Sequence, residues 1–381
     1  MRILHLMLAC FYIDNYKYQE NLLPKCNKID GHEVEIIASR ETFVDNLNLG
    51  LTKSSRYINE DEIPVVRLKY KNNGTSLWSR KIRRYEGLYQ EICRFRPDVI
   101  FCHGLQFLDL DIVIRYKRKN PDVRIYADSH ESAINSGKNV ISKYLLHGVI
   151  YKGKIRQAMP YLEKIYCIGV DCIPFMHEMY GIPDELLEMM PLGGIIADEN
   201  IRLSKRREIR SQLGIYDDEI LVLHSGKMDS HKRTLELCKA FNACKNTKFK
   251  LCIIGEFDSE YKIVVENEIG NNANIKYLGW MSGEDLNSYM MAGDLYMQPG
   301  TPSSSAQNAL CAGMAIMVYP YEAYKLLFGE NVFYAETISD MIELLDEIAK
   351  DKTVLLKKRE LGQEFTRDNL DYMEQSRRYI Q

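Results

Sequence analysis

Short apolar runs that alternate with longer helical patterns restrict the fold more than any other feature of this sequence. Each run has the length of a buried strand, and the stretches between them have the length and periodicity of helices. This alternation is typical of βαβ units, so the sequence predicts an α/β protein with parallel sheets. The runs lie at 2–8, 33–39, 65–70, 98–103, 124–128, 164–169, 219–225, 249–255, 275–279, 294–298, 315–319 and 331–335.

The chain of 381 residues is long enough for two domains. A Pro-Leu-Gly-Gly segment at 191–194 separates the first six apolar runs from the last six and is the expected interdomain link. We therefore predict one domain over residues 1–195 and a second over residues 196–360. Residues 361–381 have a helical pattern and are predicted to return to the first domain.

The charge balance excludes the basic excess of a nucleic-acid-binding protein, because 50 Lys and Arg face 53 Asp and Glu. The distribution is uneven, however. Residues 51–156 hold 21 basic and 11 acidic side chains, whereas residues 251–350 hold 4 basic and 15 acidic ones. The first domain is therefore expected to favour anionic surfaces, and nucleic acid is not an expected partner.

Ten cysteines are scattered through the chain without the Cys-x-x-Cys spacing of a zinc or redox site. We interpret them as reduced thiols of a cytoplasmic protein. The sequence contains no apolar run of 18 residues, so a transmembrane helix is not expected.

Three cations follow the apolar run at 219–225, within the segment Gly226-Lys227-Met228-Asp229-Ser230-His231-Lys232-Arg233. A helical pattern begins immediately after them. Cations at a helix start oppose the helix dipole, so an anion such as a diphosphate is the expected ligand. A solvated surface turn is the alternative.

A second polar loop follows the run at 294–298. Pro302 favours a turn, and the serines after it can cap a helix whose N–H groups would bind an anion. The alternative is a well-capped helix without a ligand. The candidate residues of this loop are Thr301, Ser303, Ser304, Ser305 and Ala306.

In the first domain, Asp128 ends the run at 124–128, and His130 and Glu131 follow it. Such side chains at a strand end can orient a hydroxyl group, exchange a proton or contact a sugar. His103 also ends a strand, but a structural role is favoured for it because its neighbours are less polar.

Four segments of the second half follow a known pattern: Gly226-Lys227-x4-Lys232-Arg233, Ile253-Ile254-Gly255-Glu256, Ile275-Lys276-Tyr277-Leu278-Gly279-Trp280 and Ala309-Leu310-Cys311-Ala312-Gly313. They resemble motifs of the retaining glycosyltransferases of the GT-B fold, group 1 family. The first has lysine where the family has arginine, which keeps the charge and loses the bidentate fork. The resemblance covers nearly the whole chain. It implies two Rossmann-like domains with parallel sheets facing each other across a cleft.

The resemblance also implies the roles of individual residues. Catalytic roles fall on His130, Lys227 and Lys232. Donor-binding roles fall on Gly226, Gly255, Glu256, Gly279, Trp280, Met281, Thr301, Ser303, Ser304, Ser305, Ala306 and Asn308. Acceptor-side roles fall on Tyr16, Tyr18, Gln19, His103 and Glu131.

The sequence departs from the family at two places. The Glu-x7-Glu motif falls on Gly300 and Asn308, so both glutamates are missing. Asn308 can still hydrogen-bond a ribose hydroxyl, but Gly300 offers only backbone. The N-terminal double-glycine loop is replaced by the polar and aromatic residues 14–18.

We therefore expect a retaining glycosyltransferase that moves a sugar from a UDP- or GDP-linked donor to a hydroxyl of a glycan or lipid-linked acceptor, in bacterial surface polysaccharide assembly. No cofactor or metal is expected, since lysines supply the positive charge. Asp109-Leu110-Asp111 matches a metal motif of another glycosyltransferase fold, but it lies in a helical pattern and is interpreted as a coincidence. The alternatives are a non-catalytic subunit that binds glycan or stabilises a partner glycosyltransferase, and a sugar-nucleotide epimerase.

Apolar and aromatic residues recur at helical spacing between 78 and 92, with arginines and a lysine between them. This pattern predicts one amphipathic helix, and packing of the stripe against the protein's own sheet is the favoured interpretation. The alternative is contact with an anionic membrane surface, which would place the protein at the inner face of the membrane. The stripe consists of Trp78, Ile82, Tyr85, Tyr89 and Ile92.

Overall fold

The computed structural model describes residues 1–44, 48–71, 77–131 and 141–380, and it describes their side chains except at 77–79 and 141–145. The chain divides into two compact units. Unit 1 comprises Met1–Pro191 and Tyr372–Gln381, and unit 2 comprises Leu192–Asp371.

Unit 1 is built on a mainly parallel sheet. Its described strands are β1 (Arg2–Met7), β2 (Glu33–Ser39), β3 (Glu41–Phe43), β4 (Leu49–Leu51), β5 (Ser55–Ile58), β6 (Pro64–Leu68), β7 (Val99–His103), β8 (Arg124–Ser129), β9 (Lys164–Cys167) and β10 (Leu187–Met189). Eight of them form one sheet in the order β10-β9-β8-β7-β1-β2-β6-β5, in which β5 alone pairs antiparallel, while β3 and β4 form a separate antiparallel pair.

Helices cover both faces of this sheet. The described helices of the segment Met1–Pro191 are α1 (Gln19–Ile29), α2 (Leu77–Ile82), α3 (Leu88–Phe95), α4 (Leu110–Lys119), α5 (Lys152–Ala158) and α6 (Cys172–Phe175). Further helical turns cover Ile141–Tyr151, Met159–Tyr161, Met176–Tyr180 and Asp184–Leu186. Side chains alternate between the faces, so Ile37 packs in one core while Ile36 and Ala38 pack in the other.

Unit 2 contains a second parallel sheet with the described order β13-β12-β11-β14-β15-β16, formed by β11 (Ile220–Met228), β12 (Phe249–Phe257), β13 (Ile275–Tyr277), β14 (Leu295–Gln298), β15 (Ala315–Val318) and β16 (Phe333–Tyr334). Leu221 and Leu223 face one core and Val222 faces the other. Its described helices are α7 (Glu199–Leu213), α8 (Thr234–Ala243), α9 (Ser259–Ile269), α10 (Gly283–Ala292), α11 (Ser305–Cys311), α12 (Glu322–Phe328), α13 (Ile338–Lys350) and α14 (Lys352–Asn369), with helical turns at Ser230–Lys232 and Gly329–Asn331.

The two chain ends of unit 2 lie together. Gly194 donates its N–H to the carbonyl of Leu370 and forms a parallel bridge with Asp371. A Cβ atom on Gly193 would lie 1.8 Å from the Leu370 carbonyl oxygen, so this approach requires glycine.

The last helix, α15 (Tyr372–Arg377), belongs to unit 1 and packs against α1. Arg377 forms two 2.7 Å hydrogen bonds with the carboxylate of Asp30, and Gln375 donates to the carbonyl of Pro191. The chain therefore leaves unit 2 after Asp371. This point lies later than the predicted boundary at 360, because α14 continues without a break to Asn369.

All twelve predicted apolar runs contain a strand, and the predicted α/β class is confirmed. The predicted helix over 78–92 is wrong. Arg83 has a left-handed φ of 52° that ends α2, and Tyr85 forms an antiparallel bridge with Tyr70. Strands β3, β4, β5 and β10 lie outside the twelve predicted runs.

Candidate functional site

Three glycines lie next to one another at the carboxyl end of the unit 2 sheet. Gly226 of β11 pairs in register with Gly255 of β12, and Gly255 donates its N–H to the carbonyl of Gly279 at 2.8 Å. A Cβ atom on Gly255 would lie 1.9 Å from the Gly226 carbonyl oxygen. The carboxyl ends of these strands therefore expose backbone atoms, because the strands could not approach so closely if the glycines had side chains.

Strand β11 continues through Lys227 to Met228, so the following turn starts later than the apolar run indicates. Lys227 is exposed and is the register partner of the exposed Glu256. Register partners of neighbouring strands project to the same face. The positive charge of Lys227 is therefore accompanied by a carboxylate on the next strand.

Lys232 ends a short helical turn that Asp229 caps by accepting the N–H groups of His231 and Lys232. Its Nζ atom donates to the carbonyl of Thr301 at 3.2 Å. Burial lowers the pKa of this half-buried lysine, and Asp229 opposes that effect. The contact fixes a cation between the loops after β11 and β14.

Arg233 is occupied by the protein itself. Its Nη1 atom donates to the carbonyls of Pro299, at 3.2 Å, and Glu336, at 2.8 Å. Of the three cations in the predicted motif, Arg233 therefore has a structural role, because it holds two loops of unit 2 together.

Gly300 fits tightly against the same turn. A Cβ atom on Gly300 would lie 2.2 Å from the carbonyl oxygen of His231 and 2.6 Å from the Cα atom of Lys232. Thr301 adds a hydrogen bond from its N–H to that His231 carbonyl at 2.9 Å. The position that carries the first glutamate in the resembling family therefore has no room for a side chain in this loop conformation.

The serine loop uses most of its own N–H groups. Ser303 donates its N–H to Tyr324 Oη, Ser305 donates to Ser303 Oγ, and Ala306 donates to the Ser303 carbonyl. Ser304 is exposed and precedes α11, which has seven residues. Three of the four N–H groups at 303–306 therefore already have acceptors within the protein, so the predicted anion cradle is not open in this structure.

Asn308 is half-buried on α11, where its N–H donates to the Ser304 carbonyl. Its Oδ1 atom lies 3.8 Å from the place that a Cβ atom on Gly194 would take. The side-chain amide of Asn308 therefore lies next to Gly194, which is in the segment where the chain enters unit 2. Trp280 and Met281 follow Gly279 in the loop after β13, and 58% of Trp280 is exposed.

In unit 1, His130 follows β8, and its Nε2 atom lies 3.8 Å from Asp128 Oδ2. Its side chain is 38% exposed, whereas Asp128 is fully buried. Burial opposes protonation of His130, but the Asp128 carboxylate, assisted by Glu20 and Glu131, raises the pKa to about 9. His130 is therefore a cation at neutral pH.

Two predicted acceptor-side residues are enclosed. His103 is 1% exposed and places Nδ1 2.9 Å from Asp128 Oδ2, and Gln19 is 2% exposed with Nε2 3.5 Å from the same oxygen. Both side chains are buried against Asp128, so neither can contact an acceptor directly. Glu131 donates its N–H to Ser129 Oγ.

The loop that replaces the double-glycine segment is held by Arg67, which the sequence analysis missed. The Arg67 side chain is 2% exposed and donates to Asp14 Oδ2 at 2.9 Å and to Tyr57 Oη at 2.9 Å. Tyr16 and Tyr18 project from this loop, with ring centroids 5.1 Å apart, and Tyr18 is 46% exposed. The loop thus presents an aromatic surface on a rigid base.

The stripe between 78 and 92 packs inward where the structure describes it, as the favoured interpretation expects, and not against a membrane. Tyr85 and Ile92 are buried in the unit 1 core, and Tyr85 donates its hydroxyl to the Leu8 carbonyl at 2.7 Å. The side chain of Trp78 lies outside the described residues. Among the described helices, none combines the length and the apolar character needed to span a bilayer.

The Asp-x-Asp segment is part of the scaffold. Asp109 accepts the N–H of Tyr85 at 2.6 Å, and Asp111 pairs with Lys154 at 2.9 Å. In the part of the chain that the structure describes, His, Cys, Asp and Glu form no group of three or more that could hold a metal ion.

Solved structures with this architecture are GT-B glycosyltransferases. HepE of Anabaena in complex with UDP is 14% identical, with a TM-score of 0.64 over 100% of this chain and 98% of that one. Sucrose-phosphate synthase of Thermosynechococcus elongatus is 12% identical, with a TM-score of 0.66 over 99% and 97%. WaaG, a glycosyltransferase involved in lipopolysaccharide biosynthesis, is 12% identical, with a TM-score of 0.62 over 99% of both chains. The fold of this protein is therefore the predicted GT-B fold.

The family follows from the sequence of unit 2. Residues 205–366 match the model of the glycosyl transferases group 1 family. Most of unit 2 is therefore similar to this family, as the motifs predict. A search of curated proteins finds no match to the chain.

Proposed function

We propose that this protein is a retaining glycosyltransferase that uses a UDP- or GDP-linked sugar. The observation that carries the proposal is the position of Lys232, which is held on the Thr301 carbonyl between two strand ends of a group 1 domain. HepE structures with UDP and with UDP-glucose support a nucleotide diphosphate sugar as the donor class.

In the proposed reaction, the bond from the anomeric carbon to the diphosphate oxygen breaks, and the electron pair leaves with the diphosphate. The acceptor hydroxyl attacks from the same face and forms the new bond, and its proton passes to the leaving oxygen. Lys232 and Lys227 oppose the negative charge that grows on the diphosphate, so they stabilise the transition state more than the ground state. This role needs no metal ion in the proposed reaction, and the donor is a substrate rather than a cofactor.

Donor recognition in this proposal relies on backbone and neutral side chains. The glycines 226, 255 and 279 let a ligand approach the strand ends, and Trp280 and Met281 border the nucleotide base. Asn308 takes the place of a carboxylate and hydrogen-bonds the ribose. Thr301 and Ser304 are the polar groups left for the sugar, since Gly300 has no space for a glutamate.

We further propose that the acceptor is a glycan or lipid-linked glycan that unit 1 binds. The support is the aromatic pair Tyr16 and Tyr18, together with the cationic His130 beside Glu131. WaaG acts in lipopolysaccharide biosynthesis, which favours a role in bacterial surface polysaccharide assembly. Such a protein would work in the cytoplasm, at the inner face of the membrane where lipid-linked acceptors lie.

The second candidate function is a non-catalytic subunit that binds glycan or stabilises a partner glycosyltransferase. It is favoured by the two missing glutamates and by the occupied N–H groups of the serine loop.

The deciding experiment has two parts. Thermal unfolding of the full chain is followed with a panel of UDP- and GDP-sugars, because a ligand that binds the folded state raises the melting temperature. Turnover of each binding donor is then measured with a panel of glycan acceptors. Stabilisation together with turnover supports the enzyme. Stabilisation without turnover supports the subunit, and no stabilisation by any sugar nucleotide contradicts the enzyme and leaves the subunit.

A further inference from the structure

A chain of polar side chains crosses the interior of unit 1 behind His130. Its members come from β8, β7, β1, α1 and the segment after α15. Each is between 0 and 1% exposed, so no member exchanges hydrogen bonds with bulk water. In order, they are Asp128, His103, His5, Asn27 and Tyr379.

Neighbouring members are within hydrogen-bonding distance. Asp128 Oδ2 lies 2.9 Å from His103 Nδ1, and His103 Nε2 lies 3.1 Å from His5 Nδ1. His5 Nε2 lies 3.0 Å from Asn27 Oδ1, which also accepts the hydroxyl of Tyr379 at 2.9 Å. We name these five residues the buried relay.

The orientation of the Asn27 amide is fixed at the far end. Its Nδ2 atom lies 3.4 Å from the carbonyl oxygen of Ser376, which can only accept a hydrogen bond. The NH₂ group therefore points to Ser376, and the amide oxygen faces Tyr379 and His5. His5 must carry a hydrogen on Nε2, because an amide oxygen cannot donate.

A proton count then decides the state of the two imidazoles. Three contacts join Asp128 to Asn27 through His103 and His5: two hydrogen bonds and the 2.9 Å ion-pair contact between His103 Nδ1 and the carboxylate. Each needs one hydrogen, because a bare ring nitrogen at 2.9 Å from a carboxylate oxygen would set two lone pairs against each other. An ionised carboxylate and two neutral imidazoles supply two. With two hydrogens, one contact would set two lone pairs against each other between fully buried side chains, and a buried unsatisfied contact of that kind is costly.

We propose that the buried relay holds this third proton, that the resulting positive charge rests on His103, and that the ion pair so formed makes Asp128 the positioning residue of His130. The positioning of His130 by Asp128 rests on the proposed function, whereas the protonation of the relay is independent of that function.

The placement of the charge follows from distance and burial. A charge on His103 lies next to the Asp128 carboxylate, whereas a charge on His5 lies one ring further away. Burial and the neighbouring His103 lower the pKa of His5 to about 3, which favours a neutral His5. The His103 charge and hydrogen bond hold the pKa of Asp128 well below its usual range despite burial.

Asp128 is immobilised by its partners. Besides His103, its carboxylate accepts the N–H of Gly104 at 2.8 Å and faces Gln19 Nε2 at 3.5 Å. His130 therefore faces a carboxylate that cannot rotate. Other ionisable groups that interact with the relay or with His130 are Cys10, Glu20, Cys26, Cys102, Glu131, Tyr166 and Cys167.

This arrangement assigns a chemical role to the last residues of the chain. Ser376 and Tyr379 fix the Asn27 amide, Asn27 fixes the tautomer of His5, and His5 fixes the hydrogen that His103 shares with it. The C-terminal segment thus sets the electrostatic partner of a residue that lies some 250 positions earlier in the sequence.

The first test reads the protons directly. Ring ¹⁵N chemical shifts of the full-length protein, labelled at histidine, report which nitrogens carry hydrogens. We expect His103 to be protonated on both nitrogens at neutral pH and His5 on Nε2 alone. Substitution of the surface histidines His32, His177 and His231 simplifies the assignment. A neutral His103, or a His5 protonated only on Nδ1, overturns the proposal.

The second test reads the positioning role. Tyr379→Phe keeps the ring and removes one donor to Asn27, so we expect the His5 Nε2 signal to shift and the alkaline limb of kcat/KM to move by about one pH unit. Tyr126→Phe is the matched control, because its ring packs 6.1 Å from that of Tyr379 and its hydroxyl is not part of the relay. A pH profile that moves equally in both variants, or in neither, overturns the positioning role. If no transferase activity exists, the proposed function fails, and the nitrogen shifts alone decide the relay.

Discussion

Gly300 packs so closely on Lys232 that a Cβ atom at position 300 would stand 2.5 Å from the Lys232 carbonyl carbon. The turn that aims Lys232 at the Thr301 carbonyl and the absence of a side chain at position 300 are therefore one structural feature. The loss of the first family glutamate is compatible with a working loop here, because this loop conformation requires glycine.

Gly300→Ala should destabilise the protein by ~1–3 kcal/mol, the usual cost of forcing an extra methyl group into a packed region. Thermal or urea unfolding measures the change. Gly153→Ala is the control, since nothing lies within 4 Å of its Cβ position, and it should stabilise the protein by ~0.4–1 kcal/mol. Equal stability of the wild type and Gly300→Ala would show that the turn is not tightly packed.

Lys232→Ala should reduce turnover more than donor binding, because the lysine opposes charge that grows toward the transition state. By analogy with the loss of an oxyanion-hole donor, we expect ~2.7–4 kcal/mol. Steady-state kinetics on an active donor and acceptor pair measure kcat and KM separately. Lys239→Ala, an exposed lysine on α8, is the control and should behave as the wild type. Wild-type turnover in Lys232→Ala removes this residue from the mechanism.

Asn308→Ala should weaken donor binding by roughly 0.5–1.5 kcal/mol, the net contribution of a neutral hydrogen bond. Turnover at saturating donor should change little, because the ribose does not change charge during transfer. Donor titration by calorimetry tests this, with the exposed Asn271→Ala as the control. An unchanged dissociation constant would place the ribose elsewhere.

The pKa of His130 is raised from 6.5 to about 9, so its protonation contributes stability fully below pH 6.5, and this contribution is lost as the pH rises through about 9. The difference in melting temperature between the wild type and His130→Gln should therefore shrink between neutral pH and pH ~10. If His130 acts as a cation, kcat/KM should fall over the same alkaline range. A difference in melting temperature that stays constant with pH would contradict the raised pKa.

Residues 192–371 expressed alone should fold and bind the sugar nucleotide, since every proposed donor contact lies in unit 2. Calorimetric titration of this fragment with UDP- and GDP-sugars is the measurement. Binding to the full chain with none to a folded fragment would show that unit 1 supplies essential donor contacts.

Most strands of the two large sheets could be predicted because they are short, almost fully buried runs, as in Ile220 to Ser225. The strands that were missed have a different character. Residues of β3 and β5 are half-buried or exposed, so the sequence there carries no apolar signal. Segment 78–92 was misassigned because Tyr85 and Ile92 are buried at helical spacing, whereas the left-handed Arg83 interrupts the helix.

Only those residues of the candidate site that belong to short local motifs could be predicted. Glycines 226 and 255 and Lys232 follow a local pattern and were found. The buried relay was not, because its members are distant in the chain: His5 and His103 are separated by 98 residues, and Asn27 and Tyr379 by 352. Only the folded sheet and α15 bring them together.

The bridge between Gly194 and Asp371 makes unit 2 a self-contained insertion with adjacent ends. A single short linker could close it into a ring or attach it to another host protein, because its own ends need no further span. Evolution and engineering can therefore exchange unit 2 as one cassette, while unit 1 keeps both of its chain segments.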